Sequence, residues 1–171
     1  AYRLLPTAYC LLPTVYIELH AASAFSFLQG ASLPEALVER AAALGYPALA
    51  LLDADGLYGA PRFHKAARQA GIRPIVGAEL TIGRPTAYRL PPTAYRLPSA
   101  TWRLPVLVAS SEGYQNLCRL VTRMKLRAPK GEGALVLEEL EGFTTGLVAL
   151  VGSPLLVTQQ YGVGGLLDRL V

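Results

Sequence analysis

Short apolar segments alternate with amphipathic, helix-like segments along most of the chain. The clearest apolar segment is Ala48 to Leu52, which carries no polar side chain. Segments of this kind are typical of strands in a parallel sheet whose faces are covered by helices. The alternation therefore predicts an α/β fold, and a βα barrel is the usual closed form of such units, with its active groups where the strands end.

The hydrophobic periodicity places the individual elements. The first helix is predicted to begin after a Ser32 cap with Glu35 three residues on, and to stop at Gly45. A second helix is predicted to end at Gly71. The predicted strands are 15–19, 48–52, 72–76, 78–82, 106–109 and 147–151, and the predicted helical segments are 33–44, 58–70, 112–126, 138–141 and 164–170. These strands are too few to close a barrel, so we expect a partial, truncated βα barrel.

A seven-residue proline-containing unit interrupts this pattern in two places. It fills residues 1–14 and returns, with a degraded copy, within about 84–104. One proline in each unit is incompatible with a continuous helix. We interpret the units as translated tandem DNA repeat, with a polyproline-type recognition strip as the alternative. The expected organisation is a low-complexity leader at 1–14 and one domain at 15–171, with a repeat insertion at about 84–104.

Composition excludes several classes of protein. The net charge of +4 depends on five arginines within the repeats, and without them 11 basic residues face 12 acidic ones, so the core lacks a global basic signature for nucleic acid. No apolar run reaches the length of a membrane span. The two cysteines, Cys10 and Cys118, have no partner at a metal or redox spacing. We expect a cytoplasmic protein with reduced thiols and no membrane contact.

Several motifs occur in one order over about residues 16–170. They are Glu18–His20 with residues 23–32, then 43–50, 53–59, 70–79 and 113–120. Together they resemble the PHP domain (polymerase and histidinol phosphatase) at the amino end of the bacterial C-family DNA polymerase III alpha subunit. Lys130–Gly133, followed by Leu137–Leu140, is similar to the error-prone, translesion branch of that family.

The resemblance implies a metal site that has lost ligands. PHP enzymes hydrolyse phosphoesters with two or three divalent ions, which polarise the phosphoryl group and supply a hydroxide. The family's ligand positions correspond to His20, Ala22, Asp53, Ala54 and Glu79, and alanine has no lone pair to donate. We therefore expect a degenerate, structural site with His20, Asp53 and Glu79 as vestigial ligands. At most, these would hold one weakly bound Mn, Zn or Mg ion.

Each of these residues also has an ordinary structural explanation. His20 could bind a backbone carbonyl in a loop, and Asp53 could satisfy backbone donors at a turn. Glu79 lies among apolar residues in the sequence, and a carboxylate in such a place is expected to have a hydrogen-bonding or ion-pair partner. No catalytic triad, phosphate-binding glycine loop or dinucleotide fingerprint is present.

A basic face recurs every four residues at Arg119, Arg123 and Arg127. It could be a solvated surface or a contact with a neighbouring polymerase domain or template strand. The resemblance predicts the amino-terminal PHP domain of an error-prone polymerase, whose partners are the polymerase's other domains and, through them, DNA. The chain contains no polymerase centre and should not polymerise alone. The alternative function is a metal-dependent phosphoesterase of the PHP family.

Overall fold

The computed structural model describes residues 16–83, 101–128 and 133–152. The expected leader at 1–14, most of the expected insertion and the predicted helix at 164–170 lie outside these ranges. In chain order the elements are β1 (Glu18–Ala21), α1 (Pro34–Ala43), β2 (Ala48–Ala54), α2 (Ala60–Gln69), β3 (Arg73–Ile82), β4 (Trp102–Val108), α3 (Ser111–Arg127), a 3₁₀ turn (Leu137–Leu140) and β5 (Leu147–Ala149). No helix among the described residues is long and apolar enough to cross a membrane.

The strands form one five-stranded sheet in the order β1-β2-β3-β4-β5. The predicted α/β class is confirmed, and β1, β2 and β3 are parallel as expected. The expectation of an all-parallel sheet is wrong for β4 and β5, which pair antiparallel. An apolar strand sequence indicates that both faces of the strand are buried, but it does not indicate whether the strand runs parallel or antiparallel to its neighbours. The antiparallel direction of β4 and β5 could therefore not be predicted from composition.

The two strands predicted at 72–76 and 78–82 are one continuous strand, β3, which passes through Gly77. A Cβ at Gly77 would lie 2.2 Å from the Val106 carbonyl oxygen, so glycine lets β4 approach β3 closely. Strand β4 begins at Trp102, earlier than predicted. Its buried Leu104 shows that the last residues of the 84–104 segment take part in the sheet.

The three helices in the described part of the chain cover the same face of the sheet, here called the helix-covered face. Leu49 and Leu51 of β2 pack with α1 and α2, and Leu80 of β3 packs with α3. Helix α1 starts at Pro34 with Leu33 as its N-cap, so the predicted Ser32 cap is wrong. Proline at a first helical position has a preset φ and needs no hydrogen-bond acceptor, which explains the start without a side-chain cap.

The opposite face, here called the open face, carries the other half of each strand. Ala50, Leu52 and Leu107 form a small buried cluster there, with Ile75 and Leu150 packed against it. In a closed βα barrel this face is the interior, because the helices surround the strands. Polar side chains on the open face are therefore the candidates for a site.

A candidate metal pocket on the open face

His20 and Glu79 form the centre of the candidate site. His20 Nε2 lies 3.0 Å from Glu79 Oε1, although 59 residues separate the two in sequence. The His20 side chain is 46% exposed and that of Glu79 is 19% exposed, so the pair sits at the mouth of the pocket. The sequence analysis predicted both residues as ligands of one site, and in the structure their side chains are in contact.

A second carboxylate near His20 is the side chain of Glu18, which accepts two hydrogen bonds. The His20 amide donates to Glu18 Oε1 at 2.8 Å, and the Tyr16 hydroxyl donates to Glu18 Oε2 at 2.6 Å. The Tyr16 hydroxyl bond lowers the pKa of Glu18 below its ordinary value, so Glu18 is ionised at neutral pH. Glu18 therefore fixes the end of β1 that presents His20.

Ala54 lies beside this pair, where the family would place an imidazole. Ala54 and Glu79 are register partners in the parallel β2–β3 pairing, so both side chains lie on the open face. Ala22 follows β1 directly. Both predicted ligand positions thus have methyl groups, and neither can coordinate an ion.

Asp53 does not join His20 and Glu79. Its register partner is Ala78, so its side chain lies on the helix-covered face, and only 2% of the residue is exposed. The carboxylate accepts hydrogen bonds from the Ser23 amide at 2.8 Å, the Ser23 hydroxyl at 2.8 Å and the Ser26 hydroxyl at 2.9 Å. The structure places Asp53 as the anchor of the loop that follows β1.

The two serine hydroxyls in that network are each used twice. Ser26 Oγ also accepts from the Ala54 amide at 3.0 Å, and Ser23 Oγ accepts from the Phe25 amide at 3.2 Å. Each hydroxyl thus donates one hydrogen bond and accepts another. Buried polar groups without such partners would lower the stability of the fold. A Cβ at Gly59 would lie 2.6 Å from Asp53 Oδ2, so this glycine makes room for the carboxylate.

Asp55 supplies a further carboxylate just after the end of β2. Asp55 has a φ of 49° and accepts from both the amide and the hydroxyl of Thr81 at 2.7 Å. Arg103 Nη1 lies 3.3 Å from the same carboxylate. Left-handed backbone is tolerated by aspartate, and an Asp-Gly pair was the one sequence signal available for it.

A pocket of about 690 Å³ opens beside the His20–Glu79 pair. Its wall is largely apolar and comes from β4 and the end of β5. The lining residues are His20, Glu79, Thr101, Trp102, Arg103, Pro105, Ala149, Leu150, Val151 and Gly152. Within the described residues, no group of three or more histidine, cysteine, aspartate or glutamate side chains is arranged to hold a metal ion.

The predicted basic face on α3 makes internal contacts. Arg127 pairs with Glu139, with Nη2 to Oε2 at 2.7 Å, and also donates to the Ala134 carbonyl. Arg123 lies over the Phe143 ring, 4.9 Å from its centroid. Arg119 donates to Asn116 Oδ1 at 3.4 Å. Arg123 and Arg127 therefore contact the segment after α3, whereas the contact of Arg119 stays within the helix.

The family of the chain follows from comparison with known sequences. The PHP domain family matches residues 18–171, which include the whole sheet and the pocket. The chain belongs to the PHP domain family. The five-stranded α/β sheet with its helices on one face is thus a partial PHP barrel, as the motifs predicted.

Similar proteins are known by the name error-prone DNA polymerase. The Mycobacterium bovis protein is 51% identical over 104 residues, which cover 61% of this chain and 9% of that protein. The Ralstonia nicotianae protein is 40% identical over 143 residues, which cover 81% and 12%. The chain therefore spans about a tenth of the length of these relatives. Their name matches the predicted error-prone branch.

Among solved structures, an amidohydrolase from Chromobacterium violaceum aligns with 64% of this chain and 33% of its own. The TM-score is 0.45 and the sequence identity is 24%. A likeness of this size supports no conclusion about activity.

Proposed function

We propose that this chain is the PHP module of an error-prone C-family DNA polymerase, and that it acts as a structural, interaction-type domain. The observation that carries the proposal is the pairing of His20 with Glu79, while Ala54 stands beside them without a ligand atom. The family match and the name of the relatives supply the polymerase context. The pocket beside them has a volume of about 690 Å³, but its donors do not suit a multinuclear cluster.

Coordination chemistry explains why such a site would be weak. Two or three divalent ions need several converging lone pairs each, and binding free energy falls with every ligand removed. His20 and Glu79 together offer two side-chain ligands on the open face. Asp53, the third predicted ligand, would have to leave Ser23 and Ser26 and reach the opposite face. A single weakly held Mn, Zn or Mg ion on His20 and Glu79 is therefore the most this pocket would bind.

The role of the module would lie in contacts with the rest of a longer polymerase. The parent, by resemblance, adds deoxynucleotides to a primer at a separate palm domain, so this chain by itself should not polymerise. Its partners would be neighbouring polymerase domains, and DNA through them, in the cytoplasm. Arg119, with a single long hydrogen bond to Asn116, is the member of the α3 basic face that is most available for such contact.

Restoring the missing ligand tests the metal part of this proposal. Isothermal titration with MnCl₂ is carried out on wild type, on Ala54→His and on Ala54→His with Glu79→Gln. Because Ala54 lies on the same face as Glu79, the single variant gains an imidazole beside two existing ligands, and we expect affinity to rise by at least about tenfold. The added Glu79→Gln change should remove that gain.

Wild type and a His20→Ala variant distinguish the alternative, a metal-dependent phosphoesterase. Hydrolysis of p-nitrophenyl phosphate is measured with and without manganese. Micromolar manganese binding by wild type, with turnover that disappears in His20→Ala, would overturn the structural proposal. Millimolar or weaker binding with no turnover would support it.

A further inference from the structure

A second cleft lies away from the His20–Glu79 pocket, on the helix-covered side between α2 and α3. Its volume is about 690 Å³. Residues from α2, the start of β3, the end of β4 and the start of α3 surround it. The proposed function of the His20–Glu79 pocket does not involve this cleft.

The floor of the cleft is apolar. Pro61 of α2, Pro74 and Val76 of β3, and Val108 of β4 all line it. Prolines and valines at the bottom of an open cleft cannot hydrogen bond through their side chains, so a bound group gains most there by burying apolar surface. The size suits one or two side chains of a bound segment.

The polar rim has one sign of charge. His64 and Arg73 line the cleft, together with Ser110, Ser111 and Tyr114, and no acidic residue does. Between Asp55 and Glu79 the chain carries four lysines or arginines and one histidine but no aspartate or glutamate. Of these four lysines and arginines, only Arg62 has an ion-pair partner among the described residues, namely Glu35.

Tyr114 adds a hydroxyl donor to this rim. Partial burial and the neighbouring Cys118 raise the pKa of Tyr114, so its hydroxyl keeps its proton at neutral pH. Arg68 follows His64 by four residues on α2, so it extends the positive edge one helical turn along the exposed side. The cleft thus combines an apolar floor with cations and donors above it.

We propose that the cleft between α2 and α3 docks a segment of a separate polypeptide chain that carries a bulky apolar side chain flanked by carboxylates. The apolar side chain fills the floor at Pro74, Val76 and Val108, and the carboxylates face Arg73 and His64. An apolar anchor in a pocket with charge complementarity at its rim is a common mode of peptide recognition. A sugar-phosphate backbone could contact the cations of the rim, but it has no bulky apolar group to bury on the floor at Pro74, Val76 and Val108.

The test uses three synthetic peptides and the full chain labelled with ¹⁵N. One peptide has a Leu-Phe centre flanked by aspartates and glutamates, the second has Gly-Gly at the centre, and the third keeps Leu-Phe but has lysines as flanks. Shifts of backbone amide signals locate binding. We expect the acidic Leu-Phe peptide to shift signals around Arg73 and Tyr114, and to bind about tenfold more tightly than either other peptide.

Charge variants complete the experiment. Arg73→Glu should weaken the acidic Leu-Phe peptide by about tenfold, and Arg73→Gln by less, because reversal adds repulsion to the lost attraction. Arg40→Glu on α1 makes the same change of charge at an exposed position outside the cleft and should leave binding unchanged. Thermal melting of each variant checks that the fold is retained.

Several results would overturn the proposal. They are an absence of shifts at the cleft with the acidic Leu-Phe peptide, equal binding of the lysine peptide, or equal loss of affinity in Arg40→Glu. Stronger shifts at the same residues with oligothymidylate would replace a peptide partner with nucleic acid.

Discussion

Ser23 donates both its backbone amide and its hydroxyl to the Asp53 carboxylate, across 30 residues of sequence. Ser26 adds a third donor from the same loop. These donors satisfy the hydrogen-bonding capacity of a carboxylate that is almost fully buried. Asp53 therefore joins the loop after β1 to the end of β2, next to the predicted ligand position at Ala54.

Replacing Asp53 should lower the stability of the domain in the absence of metal. Asp53→Ala leaves the Ser23 amide and two buried hydroxyls without their acceptor, and we expect a loss of about 3 kcal/mol in the free energy of unfolding. Asp53→Asn keeps one acceptor oxygen and should lose less. Urea unfolding in EDTA measures both, and a variant that unfolds like wild type in EDTA would return Asp53 to the list of metal ligands.

The α3 arginines should differ sharply in their contribution to stability. Arg127 forms a two-point ion pair with Glu139 and binds the Ala134 carbonyl, so Arg127→Gln should destabilise by about 1–3 kcal/mol. Arg119→Gln, which loses one long hydrogen bond, should stay within about 0.5 kcal/mol. Chemical denaturation of the two variants makes the comparison, and equal effects would contradict the structural role of Arg127.

The Arg127–Glu139 pair also predicts a pH dependence. The hydrogen bonds from Arg127 lower the pKa of Glu139 in the folded state. A lowered carboxylate pKa contributes stability above the ordinary glutamate value, and that contribution is lost as the pH falls through the lowered value. The stability difference between wild type and Glu139→Gln should therefore be constant near neutrality and shrink below about pH 4.5. A difference that persists unchanged at pH 3 would contradict this assignment.

The order of the elements was accessible from sequence because local signals specify it. Gly45 and Gly71 end the first two helices with φ values of 72° and 73°, as their positions after amphipathic segments predicted. The apolar run at 48–52 forms most of the buried strand β2. These features depend on neighbouring residues alone.

The geometry of the site depended on information that a single sequence does not contain. Side chains alternate along a strand, so the pattern could not tell whether Asp53 or Ala54 faces the pocket until register fixed the faces. The Asp55 contact with Arg103 spans 48 residues, and Arg103 lies in a segment predicted to be an insertion. The contact of Arg127 with Glu139 likewise depends on how the chain turns back after α3.

Gly113 offers a test of the packing between α3 and the segment before β5. A Cβ at Gly113 would lie 1.9 Å from the Gly146 carbonyl oxygen, and Gly146 itself has a φ of 74°. The neighbouring Asn116 side chain donates to the Thr145 carbonyl at 3.1 Å, which holds the two segments together. Neither backbone can move away without breaking that contact.

Alanine at position 113 should therefore destabilise, although alanine is the better helix former by about 1 kcal/mol. We expect Gly113→Ala to lower the free energy of unfolding by about 2–3 kcal/mol, because steric overlap with the backbone outweighs helix propensity. Gln115→Ala, at an exposed position of the same helix, should change it by less than about 0.5 kcal/mol. Urea denaturation of the two variants decides the matter: a Gly113→Ala protein as stable as wild type would mean that α3 and residues 145–146 do not pack this closely.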